Sequence, residues 1–288
     1  MALEKEITEE INQLNALQSL VQAYEEIASL RMKKTRESVL KNRQFLAEIN
    51  EIFERVRISF ARQVKELAKK RGKHGRESVT FLAHNGKTVS VLLSANTGLY
   101  GQIVQATFQN FIEEARSATT ELTIVGRYGL SLFLEEFPNR PYTYFDLPDY
   151  GITSRNLDQL IRHIVQYEEI HVYHGEFLNV IKQRPSKITI SAEISLTEKK
   201  GKPLIAYIFE PTLEKILMFF ETEIFASIFE QSVRESQLAK HASRVMAMDR
   251  ADENIGESLK KLRFSKLRTK HSTVNRKQLN SLPSVLMR

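Results

Sequence analysis

The chain has 288 residues, with 42 Lys and Arg against 35 Asp and Glu and no cysteine. That length supports one or two domains with a buried core, and the missing thiol excludes a disulfide framework, a thiolate metal site and a cysteine nucleophile. A net charge of +7 permits an anionic partner without selecting nucleic acid, membrane surface or acidic protein.

The opening MALEKEITEE is acidic and helix-like, whereas a secretory signal starts basic and apolar and a mitochondrial presequence is Arg-rich. No run of about 18 apolar residues occurs, so no membrane-spanning helix is expected and the protein should act where it is made. From Leu3 to Lys70 there is neither Gly nor Pro, and good helix formers predominate. Apolar residues recur at Ile7, Ile11, Leu14, Leu17 and Val21, and again at Leu46, Ile49, Phe53, Val56, Phe60 and Leu67. Steps of three and four predict a long helix with a narrow coiled-coil seam.

After the basic stretch Lys69–Ser78 the texture changes, and Gly and Pro become regular up to Pro211. Strands are predicted over Thr88–Ser94, Glu121–Gly126, Glu169–His174, Lys187–Leu196 and Pro203–Glu210, and helices over Gln102–Arg116, Gly129–Glu136 and Ser154–Tyr167. Strands separated by helices imply a mostly parallel sheet, closed by a hairpin near Lys199–Lys202. Beyond Pro211 the helical seam returns as Leu213, Leu217, Phe220, Ile224 and Ile228, then Leu238, Ala242, Val245, Met248, Ala251, Ile255, Leu259 and Leu262. Two such helices can hide their stripes by winding antiparallel around each other. The expected fold class is therefore α/β: an antiparallel coiled coil of long N- and C-terminal helices with an inserted Rossmann-like α/β domain. Its parts are residues 1–70, 71–210 and 211–288.

Few motifs carry chemistry. There is no phosphate-binding G-x-x-x-x-G-K-[ST] loop, no G-x-G-x-x-G after a strand and no G-x-S-x-G elbow. Ser94–Gln102 (SANTGLYGQ) reads either as a turn that cradles a phosphate on its amides or as a tight strand-to-helix turn without an anion, and it contains no Lys or Arg. His171 and His174 differ by an odd number of residues and would point to opposite faces of a strand, which is not a metal signature. Asp146 and Asp149 flank Pro148 and are expected to shape a turn rather than perform acid–base work. From Ile255 to Arg288 nine Lys or Arg stand against the single acid Glu257, so this helix end should meet an acidic protein or a phosphate backbone. Phe264 is the only aromatic there, which favours protein over nucleic acid.

Several segments resemble the gamma subunit of the rotary F-type ATP synthases. Lys240–Leu259 (KHASRVMAMDRADENIGESL) is similar to that family's C-terminal helix signature, and Tyr207–Pro211 (YIFEP) to the strand and Glu-Pro that open this helix. SANTGLYG resembles the family's Thr-Ser-Asp-Arg-Gly-Leu-Cys-Gly turn, Gln22–Lys34 matches its N-terminal helix motif, and Arg268 falls where an Arg-Gln pair is usual. The sequence departs from the pattern at Tyr24 and Glu26, where methionines are usual, at Thr269, and over Ser272–Asn275. These departures point to a lineage-specific or accessory rotary ATPase.

The resemblance implies a non-catalytic rotor shaft that threads a hexameric ring of alpha and beta subunits and meets an epsilon subunit and a membrane c-ring. Neither cofactor, metal nor nucleic acid is implied. Such a subunit is peripheral, at the cytoplasmic face of an inner or plasma membrane. The positions carried over as partner-contacting are Arg31, Lys33, Lys34, His241, Arg244, Met248, Asp249 and Arg268. The competing readings are a coiled-coil scaffold or nucleic-acid-binding protein with a basic arm, and a small-molecule enzyme housed in the α/β domain.

Overall fold

A computed structural model describes residues 2–59, 78–79, 84–117, 120–191, 194–195 and 212–286. In chain order these form α1 (Ala2–Ser59), β1 (Ser78–Val79), β2 (Thr88–Leu93), α2 (Ile103–Ser117), β3 (Glu121–Val125), α3 (Arg127–Glu136), β4 (Thr143–Phe145), α4 (Ser154–Ile164), β5 (Glu169–Phe177), β6 (Gln183–Ser191), β7 (Ile194–Ser195) and α5 (Leu213–Leu286). The predicted strand Pro203–Glu210, the hairpin near Lys199–Lys202 and the basic loop Lys69–Arg76 lie outside the described residues. Two compact units are present: Met1–Leu30 with Arg244–Arg288, and Arg31–Ser243.

The first unit is a pair of helical segments. Ile7, Ile11 and Val21 of α1 bury against Met248, Ile255 and Leu259 of α5, with Leu14, Ala247, Ala251 and Leu262 packed alongside. Gln22 Nε2 donates to Asp252 Oδ1 at 3.0 Å beside this seam. Along α1 as a whole, a ladder of buried and half-buried positions runs in steps of four and three without a break from Ile7 to Val56. That period of 3.5 is the coiled-coil period. Leu17, expected on the seam, instead faces solvent, because the ladder passes through Gln18.

In the second unit the same helices run antiparallel. Phe53 meets Phe220 at a ring-centroid distance of 5.6 Å, and Asn42 Nδ2 donates to Ser227 O at 3.2 Å and to Gln231 Oε1 at 3.1 Å, while Arg43 pairs with Glu235. The sheet has the order β4-β3-β2-β5-β6. The first four strands are parallel, with Val91 opposite Thr123 on one side and Val172 on the other, and β6 is antiparallel to β5. The short edge strand β4 and the β5–β6 hairpin were not legible in the sequence, and the expected strand Lys187–Leu196 is split between β6 and β7, which pairs with β1 in a separate two-stranded sheet.

Alternation along β2 decides what covers each face. Val89, Val91 and Leu93 point to the side covered by α4 (Leu157, Leu160, Ile164) and by Phe225, Phe229 and Val233 of α5. Leu92 points to the other side, beneath Phe108, Phe111 and Ile112 of α2 and Phe133 of α3. Strand order reverses direction at β2, so the β2–β5 crevice at the carboxyl ends of the strands is the switch point where doubly wound sheets receive ligands.

Candidate functional site

Four chain segments converge on that switch point. After β2 the chain turns through Ser94–Gly101, where Leu99 at φ 65° and Gly101 at φ 58° occupy left-handed backbone. Gly101 is required twice over, because a Cβ there would also lie 2.5 Å from Ser243 Oγ on α5. The loop after β4 closes over this turn. Asp149 accepts from Asn96 N at 2.9 Å, Thr97 N at 3.1 Å and Thr97 Oγ1 at 2.9 Å. Asn96 in turn donates through Nδ2 to Asp146 and to Leu147 O, and its Oδ1 accepts from Arg127 N at 2.9 Å. Two amides that could have met a phosphate are thus occupied by a carboxylate of the same chain. This decides the Ser94–Gln102 alternatives in favour of a tight turn, and Asp146 and Asp149 shape it.

The third segment is α5, which fills the crevice itself. Lys240 Nζ donates to Ser94 O at 2.7 Å and lies 3.9 Å from Asp149 Oδ1. Gln237 Nε2 donates to Asp149 O at 3.1 Å, and Ser236 Oγ reaches Leu93 O at 3.5 Å. Gly175 at the end of β5 lets the helix close in, since a Cβ there would sit 2.8 Å from Ile103 Cγ1 and 3.2 Å from Ala239 Cβ. From Ser236 to Ser243 every residue is buried, so the helix is enclosed on all sides over two turns. Small residues allow the close approach, and Ser236, Gln237 and Lys240 are bonded to carbonyls.

The fourth segment is α1. The Arg31 guanidinium lies 4.9 Å and the Lys34 ammonium 5.8 Å from the Tyr150 ring centroid. Tyr150 packs edge-on against His241 at 6.1 Å, and Tyr100 lies 6.2 Å from the same imidazole. A cation over an aromatic face contributes about 0.5–1 kcal/mol where solvent reaches it. Among the described residues, the crevice between Ser94, Leu147, Ser236, Gln237 and Lys240 holds a void of about 10 Å³. A small-molecule site takes roughly 300–1,000 Å³, so this switch point has no room for a nucleotide.

The structure therefore joins three of the residues singled out by resemblance, Arg31, Lys34 and His241, around Tyr150. Lys33 is exposed on α1 and makes no ring contact there among the described residues. His241 is fully buried, Arg244 and Met248 are buried, and Asp249 and Arg268 are exposed; the last four belong to the other compact unit, where Met248 forms part of the seam. The sequence reading missed Tyr150 and Lys240 as junction residues. The available signal was a lysine set among the small residues of Ser236–Ser243.

A second polar cluster sits on the α2 face. Glu114 accepts from Lys187 and Tyr173 and bonds His171 Nδ1, while Glu169 lies 3.1 Å from His171 Nε2. Burial alone would raise the Glu114 pKa; the bonds from Lys187, Tyr173 and His171, with the His171 charge, outweigh it and hold the carboxyl at about 2. Burial and the bond to Glu114 push the Tyr173 hydroxyl far up. His174 points to the opposite face, fully buried, and burial lowers its pKa. Among the described residues no three His, Asp or Glu converge as metal ligands, and no helix is long and apolar enough to cross a membrane.

Comparison with known proteins accounts for this architecture. A family model described as ATP synthase matches residues 4–275. The ATP synthase gamma chain of Desulforamulus reducens is 23% identical over 288 aligned residues, covering 96% of this chain and 95% of that protein. That of Syntrophobacter fumaroxidans is 25% identical, covering 91% and 90%. Among solved structures, a chain of the Euglena gracilis mitochondrial ATP synthase rotor superposes with a TM-score of 0.61 at 12% identity, covering 95% of this chain and 99% of that one. A chain from the Tetrahymena thermophila mitochondrial ATP synthase central stalk and c-ring superposes at 0.55 with 17% identity. With the family model spanning nearly its whole length and gamma chains aligned end to end, the chain belongs to the ATP synthase family, as a divergent member of its gamma chains.

Proposed function

We propose that this chain is the central rotor shaft of a rotary ATP synthase, a non-catalytic subunit that couples ion-driven rotation to ATP synthesis or hydrolysis in a surrounding ring. The observation that carries the reading is the filled switch point. Where a doubly wound sheet would receive a nucleotide, this one receives its own C-terminal helix, held by Lys240, Gln237 and Ser236. A sheet that grips a helix in this way can pass torque to it, and needs no chemistry of its own.

The partners are the alpha and beta subunits of the ring, an epsilon subunit and a membrane c-ring. A turning shaft biases nucleotide sites only through contacts that differ between their states. Exposed Lys33, Lys34, Asp249 and Arg268 and half-buried Arg31 are suited to this, because partly solvated ion pairs are worth about 0–1 kcal/mol each and guide without locking. Buried His241, Arg244 and Met248 act from within, by fixing the surface the ring meets. The chain works peripherally at the cytoplasmic face of the membrane, held there by the c-ring.

Purification separates this from a catalytic reading. The isolated chain is expected to show no ATP turnover and to enter a complex with alpha and beta subunits at one copy per ring. ATP hydrolysis by the homogeneous chain, or a stoichiometry equal to that of the ring subunits, would sink the proposal.

A further inference from the structure

Between β5 and β6 the chain turns through Leu178–Lys182. Ile181 is 79% exposed, Leu178 41% and Val180 38%. A turn that merely joined two strands would carry Gly, Asn, Asp or Ser, so three apolar side chains on one apex call for a reason.

The apex is also rigidly built. Leu178 N and Asn179 N both donate to Lys182 O, at 3.3 and 3.1 Å. Asn179 Oδ1 accepts from Ile181 N at 3.0 Å and Lys182 N at 2.7 Å, and Gln183 Nε2 donates to Asn179 O at 3.0 Å and Val180 O at 2.7 Å. These bonds fix the backbone while the apolar side chains stay bare, so the ordering cost of binding is largely met before a partner arrives.

Charge indicates what the partner carries. No acid occurs from Phe177 to Ser191. Arg184 is paired with Glu176 at 2.7 Å and Lys187 with Glu114, whereas Lys182 forms no ion pair among the described residues. One uncompensated cation therefore stands beside the apolar apex. An anionic lipid surface rewards several free cations and a broad apolar face. A compact knob with a single free cation fits a protein pocket instead.

We infer that the β5–β6 hairpin apex is a docking knob, inserting Ile181 with Leu178 and Val180 into an apolar pocket of a partner protein whose rim presents a carboxylate to Lys182. This rests on the rotor reading only in seeking that partner among the other subunits of the complex.

The test uses complexes purified through a tag on this chain, carrying the natural residues, Ile181→Asp, Ile181→Ala or Lys182→Glu, with a photoreactive phenylalanine analogue at position 181 in a parallel preparation. Expected are thermal midpoints within a few degrees of each other, one dominant cross-linked subunit, and at least tenfold faster loss of that subunit on salt washing for Ile181→Asp. Lys182→Glu should give a smaller loss. If the unaltered chain recovers no ring subunits, the rotor reading fails. If it recovers them and Ile181→Asp retains every subunit equally well, the knob is refuted. Binding to phosphatidylglycerol vesicles that Ile181→Asp abolishes, with no subunit cross-linked, would replace the protein pocket by lipid.

Discussion

Helix α5 carries lysines with opposite fates. Lys240 lies in a stretch enclosed on every side, with its ammonium on the Ser94 carbonyl. About six turns further on, Lys260, Lys261, Arg263, Arg268 and Lys270 are all exposed, and none forms an ion pair among the described residues. The inner stretch uses polarity to hold position, since a buried ammonium without an acceptor would be strongly penalised. The outer stretch keeps its charge in water, available to others. One helix thus changes from anchored to presented, and the change is written in its neighbours rather than in its own composition.

The largest expected effect comes from breaking the helix where the enclosed stretch ends. Met246→Pro removes a main-chain donor and places a ring against the preceding turn, at a cost of about 3 kcal/mol or more. Denaturant unfolding followed by helical circular dichroism should show it; an unchanged midpoint would mean that this stretch is not helical in solution. Next in size is Lys240→Met, which keeps the stem but loses a charged hydrogen bond, for about 1.5–3 kcal/mol. Lys261→Met, its exposed counterpart, should stay within about 0.5 kcal/mol. Equal losses at both positions would erase the contrast between the two stretches.

A loss smaller than that at Lys240 sharpens the same point on the other face of the sheet. Glu114→Gln weakens the bonds to Lys187, Tyr173 and His171 and should cost on the order of 1 kcal/mol at neutral pH. The folded carboxyl titrates at about 2, below its ordinary value of 4.5. Its stabilisation is therefore complete above 4.5 and drains away as pH falls toward 2. Urea midpoints between pH 6 and 2 should fall more steeply in the natural chain than in Glu114→Gln. Parallel slopes would show that Glu114 does not drive the acid response.

Much of the fold was legible because hydrophobic periodicity is local. The helical arms, β2, β3 and three helices of the α/β domain fall where spacing of three and four, or alternation, put them. Leu17 is apolar but one position out of register, while the true ladder tolerates Gln18. On α5 the stripe through Ile224 and Ile228 was visible, but Phe225, Phe229 and Val233 form a second one against the sheet. A helix covered on two sides has no single periodicity to detect. The junction was least legible, since Asp149, Tyr150 and Lys240 acquire their roles only when segments far apart in the chain meet. A carboxylate next to a proline announces a turn, but not which amides it will bind.

The polar rungs in the α1 ladder have a consequence for synthesis. Gln18, Glu25, Thr35 and Asn42 interrupt an otherwise apolar series, and Asn42 finds acceptors on α5, at Ser227 O and Gln231 Oε1. More than 150 residues separate Ser59 from Leu213, so α1 leaves the ribosome roughly 10–30 s before its mate exists. A greasy, uninterrupted strip would spend that interval pairing with nascent copies of itself. Hydrophilic interruptions disfavour such premature homodimers and leave the strip vacant for α5, which satisfies Asn42.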